Sequence, residues 1–191
     1  MVSFADKPEL IVESVAEWEA WLDAHADEPD GVRLRLRKKS STLPGVTYAE
    51  ALEVALCFGW IDGQVKSLDA DFMHQAFTPR RRQSPWSQVN REHIERLTQE
   101  GRMRPRGQAE VDRAKADGRW DAAYRVKDAP VPPELEAALA ADTAAAAAFA
   151  ALDGQRRWAV IFRVSQAKQP ATRARRAQQF ADKLARGESP V

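Results

Sequence analysis

The chain has 191 residues, a formal net charge of +1 and one cysteine, Cys57. That length allows one good core, or a core with a smaller appendage. The near-neutral balance removes bulk charge as an argument for nucleic acid, and a lone cysteine excludes an internal disulfide.

The charge is unevenly spread. Residues 1–30 carry nine acids against one base, Lys7, and residues 153–191 carry nine bases against three acids. The expectation is a dipolar molecule with a basic C-terminal end. The N-terminal stretch has neither the basic nor the apolar region of a signal peptide, and no apolar run approaches the ~20 residues of a membrane span. These features predict a soluble, cytoplasmic protein without a membrane span.

In chain order, Glu9 to Glu13 reads as a strand. Ser14 and Glu17 then form a capping box, and the helix they open carries Val15, Trp18, Leu22 and His25 on one face. Val32 to Arg37 alternates strictly, so Val32, Leu34 and Leu36 face a core while Arg33, Arg35 and Arg37 face outward. Thr47 and Glu50 give a second capping box. The helix that follows has the widest apolar stripe, with Leu52, Ala55, Leu56 and an inert Cys57 on it, and Gly59 ends it in the left-handed conformation.

Trp60 to Leu68 and Asp71 to Thr78 read as two strands joined through Asp69 and Ala70. Ser84 and Pro85 fit an N-cap and first helical position, which predicts a helix start there, with Trp86, Asn90, Ile94 and Leu97 on one stripe. A short helix runs from about Gly107 to Asp117. Val126 to Pro133 is a proline-rich linker, and the rest reads as helix. The expected fold is α+β: residues 1–125 form a small antiparallel or mixed sheet with packed helices, and 134–191 form an all-helical segment packed on it.

The residues that carry chemistry gather in one stretch. His25, His74 and His93 lie far apart with no chelating spacing, so no metal and no cofactor is expected. There is no Gly-x-Ser-x-Gly pattern and no phosphate-binding glycine loop. Arg80, Arg81 and Arg82 leave a strand just before the expected helix start, where free N–H groups and the helix dipole favour anions. Ser84 and Ser87 add hydroxyls, Trp60 and Trp86 offer flat walls, Asp62 can orient an arginine, and Asn90 follows on the helix. Each also has a structural reading: a turn for Asp62, a cap for Ser84, core for Trp86 and a loop tie for Asn90.

The segments Phe58-Gly59-Trp60-Ile61-Asp62-Gly63, Phe77-Thr78-Pro79-Arg80-Arg81, Ser84-x-Trp86-Ser87-x-x-Asn90 and Glu100-Gly101-Arg102-Met103 resemble the YdeI/OmpD-associated, bacteriocin-protection family. Ala167 to Arg176 resembles that family's terminal helical segment. The resemblance implies an accessory role in stress or antimicrobial-peptide tolerance, and it supplies no catalytic residues. Together these readings predict a non-enzymatic protein that binds an anionic small molecule or protein partner through the central stretch. Two alternatives stay open: an enzyme acting on a phosphorylated small molecule with Asp62 as acid or base, and a nucleic-acid-binding module using Arg33, Arg35, Arg80 to Arg82 and the basic tail.

Overall fold

A computed structural model describes residues 2–123, 130–167 and 169–190. The chain divides into two compact units, residues 1–123 and 124–191. Residues 126–129 of the expected linker lie outside the described residues.

The first unit is α+β. Its strands are β1 (Glu9–Leu10), β2 (Val32–Arg37), β3 (Trp60–Ser67) and β4 (Phe72–Pro79), in the spatial order β1-β2-β4-β3. β1 runs parallel to β2 and the other pairs are antiparallel, so the sheet is mixed. β1 is shorter than the apolar run that suggested it, because Glu13 already belongs to the entry of the next helix. Its N–H donates to Glu17 Oε2 at 3.0 Å, while Ser14 Oγ accepts the Glu17 N–H.

Four helices complete this unit: α1 (Val15–His25), α2 (Tyr48–Cys57), α3 (Gln88–Gln99) and α4 (Pro105–Ala116). The strict alternation of β2 places Val32, Leu34 and Leu36 in the core, with Trp18 and Leu22 of α1, six residues of α2, and Phe77 of β4. α2 is opened by a complete capping box: Thr47 N–H donates to Glu50 Oε2 and Glu50 N–H to Thr47 Oγ1. It closes at Gly59, whose φ of 73° suits a residue without a Cβ.

β3 carries a register shift between Asp62 and Val65. Such a bulge leaves ladder groups unpaired. The buried Gln75 amide answers it, donating to the Gly63 carbonyl at 2.8 Å and also reaching the Gln64 and Ala76 carbonyls.

The second unit is helical: α5 (Pro133–Ala140), α6 (Thr143–Ala150), α7 (Gly154–Ser165) and α8 (Pro170–Ala185). α8 packs against the other three around Leu135, Phe149, Val160, Val164, Ala177, Ala181 and Leu184. The alanine-rich run divides because Asp142 and Asp153 act as N-caps. Asp142 accepts the Ala144 and Ala145 N–H groups, and Asp153 accepts that of Arg156. Arg173 ties α8 to α5 through Glu134 at 2.7 Å.

Candidate functional site

The segment between β4 and α3 departs from its sequence reading. Ser84 is not an N-cap and Pro85 is not the first helical residue: α3 starts at Gln88, with Ser87 as its cap accepting the Asn90 N–H at 3.2 Å. Ser84 instead closes a turn with Arg81. Its Oγ accepts the Arg81 N–H at 3.1 Å, and its own N–H donates to the Arg81 carbonyl at 2.9 Å.

What delays the helix is a stack that engages Pro85 and Trp86. The buried Arg80 guanidinium lies 3.6 Å from the centre of the Trp86 ring and donates to the Pro85 carbonyl at 3.1 Å. Trp86 meets Trp120 edge to face at 5.0 Å, and Arg91 and Lys115 lie over Trp120. Arg119 donates to the Ser84 carbonyl at 2.9 Å. A desolvated cation–π pair contributes up to about 2 kcal/mol, so this interlock holds the loop on α3 and the end of α4. Trp120 gave no sign of this role in sequence, since it stands 34 residues away from Trp86 in an irregular segment.

The nine residues singled out in sequence do not line one open cleft. Trp60 is fully buried, donates to the Ala26 carbonyl at 3.1 Å and packs edge-on against Trp18 and Trp21. Trp86, Arg80 and Asn90 are buried as well. Asp62 accepts the Tyr48 hydroxyl at 3.0 Å, and burial, then the Asp62 charge, push the Tyr48 pKa upward. Arg81 and Arg82 are exposed.

Arg81 does reach a cleft. It lies on the sheet face that carries Arg33, Ala76 and Thr78, with a volume of about 540 Å³, lined among others by Phe4, Lys7, Asp30, Gln64, Thr78 and Arg81. Its walls follow from the strand alternation. Arg33 points outward, donates through Nε to the Lys7 carbonyl at 3.0 Å and stacks over Phe4, which pins the N-terminal segment along the sheet. Lys7 Nζ donates to the Asp30 carbonyl. Gly63, at the bulge, leaves the floor free of a side chain. Arg81, a hydroxyl and an amide around one opening can hold an anion by charge-assisted hydrogen bonds, while Lys7, buried and bonded to the Asp30 carbonyl, adds its charge from the wall. Lys7, Gln64 and Thr78 were missed in sequence; the single signal was a glycine inside a strand, which often marks a bulge or a close approach.

The rest of this face is occupied differently. Arg37 donates to the Ser41 and Gly45 carbonyls and Arg35 stacks over Phe72, so the arginine ladder anchors loops. His74 Nε2 meets Glu9 Oε1 at 2.8 Å. Among the described residues no group of three or more His, Cys, Asp or Glu is placed to hold a metal ion, and no helix is long and apolar enough to cross a membrane. Cys57 is buried in α2, and burial pushes its thiol pKa up to about 11.

Comparison with known proteins gives two family matches. Residues 10–110, more than half of the chain, match a domain of unknown function (DUF8412). Residues 128–187 match the family described as bacteriocin-protection, YdeI or OmpD-associated. The motifs from Phe58 to Met103 thus fall within the first match, and Ala167 to Arg176 within the second. No curated protein and no solved structure matches the chain.

Proposed function

Because the chain belongs to the DUF8412 family and its C-terminal unit carries the bacteriocin-protection, YdeI or OmpD-associated domain, we propose that it is a cytoplasmic, non-enzymatic accessory protein of stress or antimicrobial-peptide tolerance. It acts by binding an anionic ligand at the outer sheet face of its first unit. The observation that carries this reading is the cleft of about 540 Å³ in which Lys7 and Arg81 stand with Thr78 and Gln64. The site keeps the central stretch but replaces its buried members, so Arg81 stays while Trp60, Arg80 and Trp86 act as scaffold.

Phosphate or sulfate serves as the probe. A ligand that binds only the folded state raises the melting temperature with its concentration, following site occupancy. Arg81→Glu removes that rise, and Arg82→Glu, outside the cleft lining, leaves it in place. A rise of parental size in Arg81→Glu overturns the site. In cells, a deletion strain challenged with a bacteriocin regains tolerance from the parental gene and not from the Arg81→Glu form. Cell fractionation tests the cytoplasmic setting.

A further inference from the structure

The second unit has a groove of its own, of about 430 Å³, where the C-terminal half of α7 faces the second half of α8. It is lined by Arg163, Gln179, Phe180, Asp182, Lys183 and Arg186. We infer that this groove binds single-stranded nucleic acid, with a base stacked on Phe180 and the flanking phosphates on Arg163, Lys183 and Arg186.

Charge and shape point to that occupant together. Asp153 to Val191 holds nine bases against three acids. Several of the bases are engaged: Arg173 with Glu134, Arg157 over Phe149, and Arg176 with the Arg163 carbonyl. Arg186 meets Glu188 in an exposed pair, which is weak enough for a phosphate to displace. Arg163 and Lys183 are exposed, and neither forms an ion pair among the described residues. They stand on opposite helices of the groove lining, where a phosphate strand can engage both, although Lys183 also feels the Glu188 charge.

The floor separates this occupant from other polyanions. Phe180 is half-buried: part of it packs against the helical core and part opens into the groove. An aromatic face between cations is how sequence-tolerant single-strand binders hold bases, and arginines on the rim hold phosphates without reading sequence. The carboxylates of a polyacidic peptide offer no aromatic face for the ring to stack on. Asp182, fixed by Gln178 at 2.8 Å, is the carboxylate in the lining. It repels a phosphate and accepts a base amino group, and Gln179 beside it can donate or accept. Arg176 to Arg186 spans about 15 Å of α8 at ~1.5 Å per residue, room for more than one phosphate.

The test is fluorescence anisotropy of a labelled single strand of about 12 nucleotides against the full chain, over a salt series. With three phosphates contacted, the logarithm of affinity falls against the logarithm of salt with a slope of about −2. Arg163→Glu with Lys183→Glu weakens binding at least tenfold at unchanged circular dichroism. Phe180→Leu keeps apolar packing and removes the ring; it weakens the normal strand about fivefold or more and leaves an abasic strand of equal length unaffected. Absence of binding at about 50 mM salt overturns the inference, as does parental affinity in the charge-reversed variant. Equal affinity for polyglutamate, for anionic vesicles or for the abasic strand overturns it too, since each makes the ring irrelevant.

Discussion

The contact between α2 and α4 yields a prediction whose sign is opposite to that expected from helix propensity. Gly107, in the first turn of α4, lies against the last turn of α2, and the Arg104 N–H donates to the Cys57 carbonyl at 3.1 Å. A Cβ at Gly107 would fall within the van der Waals shell of the Cys57 carbonyl oxygen, 2.7 Å from its carbon and 3.0 Å from the Leu56 oxygen. The atoms it meets are helix backbone, which cannot swing aside as a side chain can. Relief takes a shift of about 1.5 Å to reach the ~3.5 Å of comfortable contact. On propensity alone, alanine for glycine in a helix stabilises by about 1 kcal/mol. Overpacking a tight contact costs typically about 1–3 kcal/mol, more when backbone must move. Gly107→Ala is therefore expected to destabilise the first unit by a net of up to about 2 kcal/mol. Five of the six tryptophans lie in that unit, so urea unfolding followed by tryptophan fluorescence reports on it. Gly154 at the start of α7 has no atom within 4 Å of the position of an added Cβ and no positive φ. Gly154→Ala, read by circular dichroism, is expected to be neutral or stabilising by up to about 1 kcal/mol. If Gly107→Ala also raises stability, the two backbones do not approach as described and the argument fails.

Further outcomes follow from α2. Leu52 is buried on its core face, so Leu52→Ala is expected to cost roughly 2–5 kcal/mol in the same assay, and a change under about 0.5 kcal/mol would place that face in solvent. Cys57 should resist thiol reagents until the protein unfolds, and rapid labelling of native protein would contradict its burial. Its folded pKa of about 11 stands above the ordinary 9.0 because burial disfavours the thiolate. An acid with a raised folded pKa contributes stability that is complete below its unfolded pKa and lost as pH rises through the folded one. Stability should therefore decline between about pH 9 and 11, and Cys57→Ala should flatten that decline; an unchanged slope in the variant would assign the decline to other groups.

The elements legible in the sequence are those whose determinants lie within a few residues of each other. Thr47 and Glu50 make their capping box across three positions, and the α2 stripe behind them needs only the helical period. Val32 to Arg37 declares its two faces by alternation alone, and the buried set Val32, Leu34 and Leu36 follows. The break in the alanine-rich run was less visible, because alanine favours helix throughout. Only the caps Asp142 and Asp153 mark where one helix yields to the next.

The site was legible by neighbourhood but not by membership, and Ser84 shows why. Two serines three residues apart both satisfy the local rules for a cap, and Pro85 adds local weight to the first. The choice fell to Ser87 through partners that no local rule contains: Arg80 folded back onto Trp86, Trp86 set edge-on to Trp120, and Arg119 bonded to the Ser84 carbonyl. The same stack buries Arg80 and Trp86, so an arginine and an aromatic that look like a ligand site in sequence are stacked on each other instead. Lys7 is the converse case. It stands in an irregular segment without periodicity, and it reaches the cleft because Arg33, sent outward by the alternation of β2, takes the Lys7 carbonyl and holds that segment on the sheet. A cation's availability to a ligand is thus decided by which carbonyls and rings its neighbours have already claimed, and those partners are set by the tertiary fold.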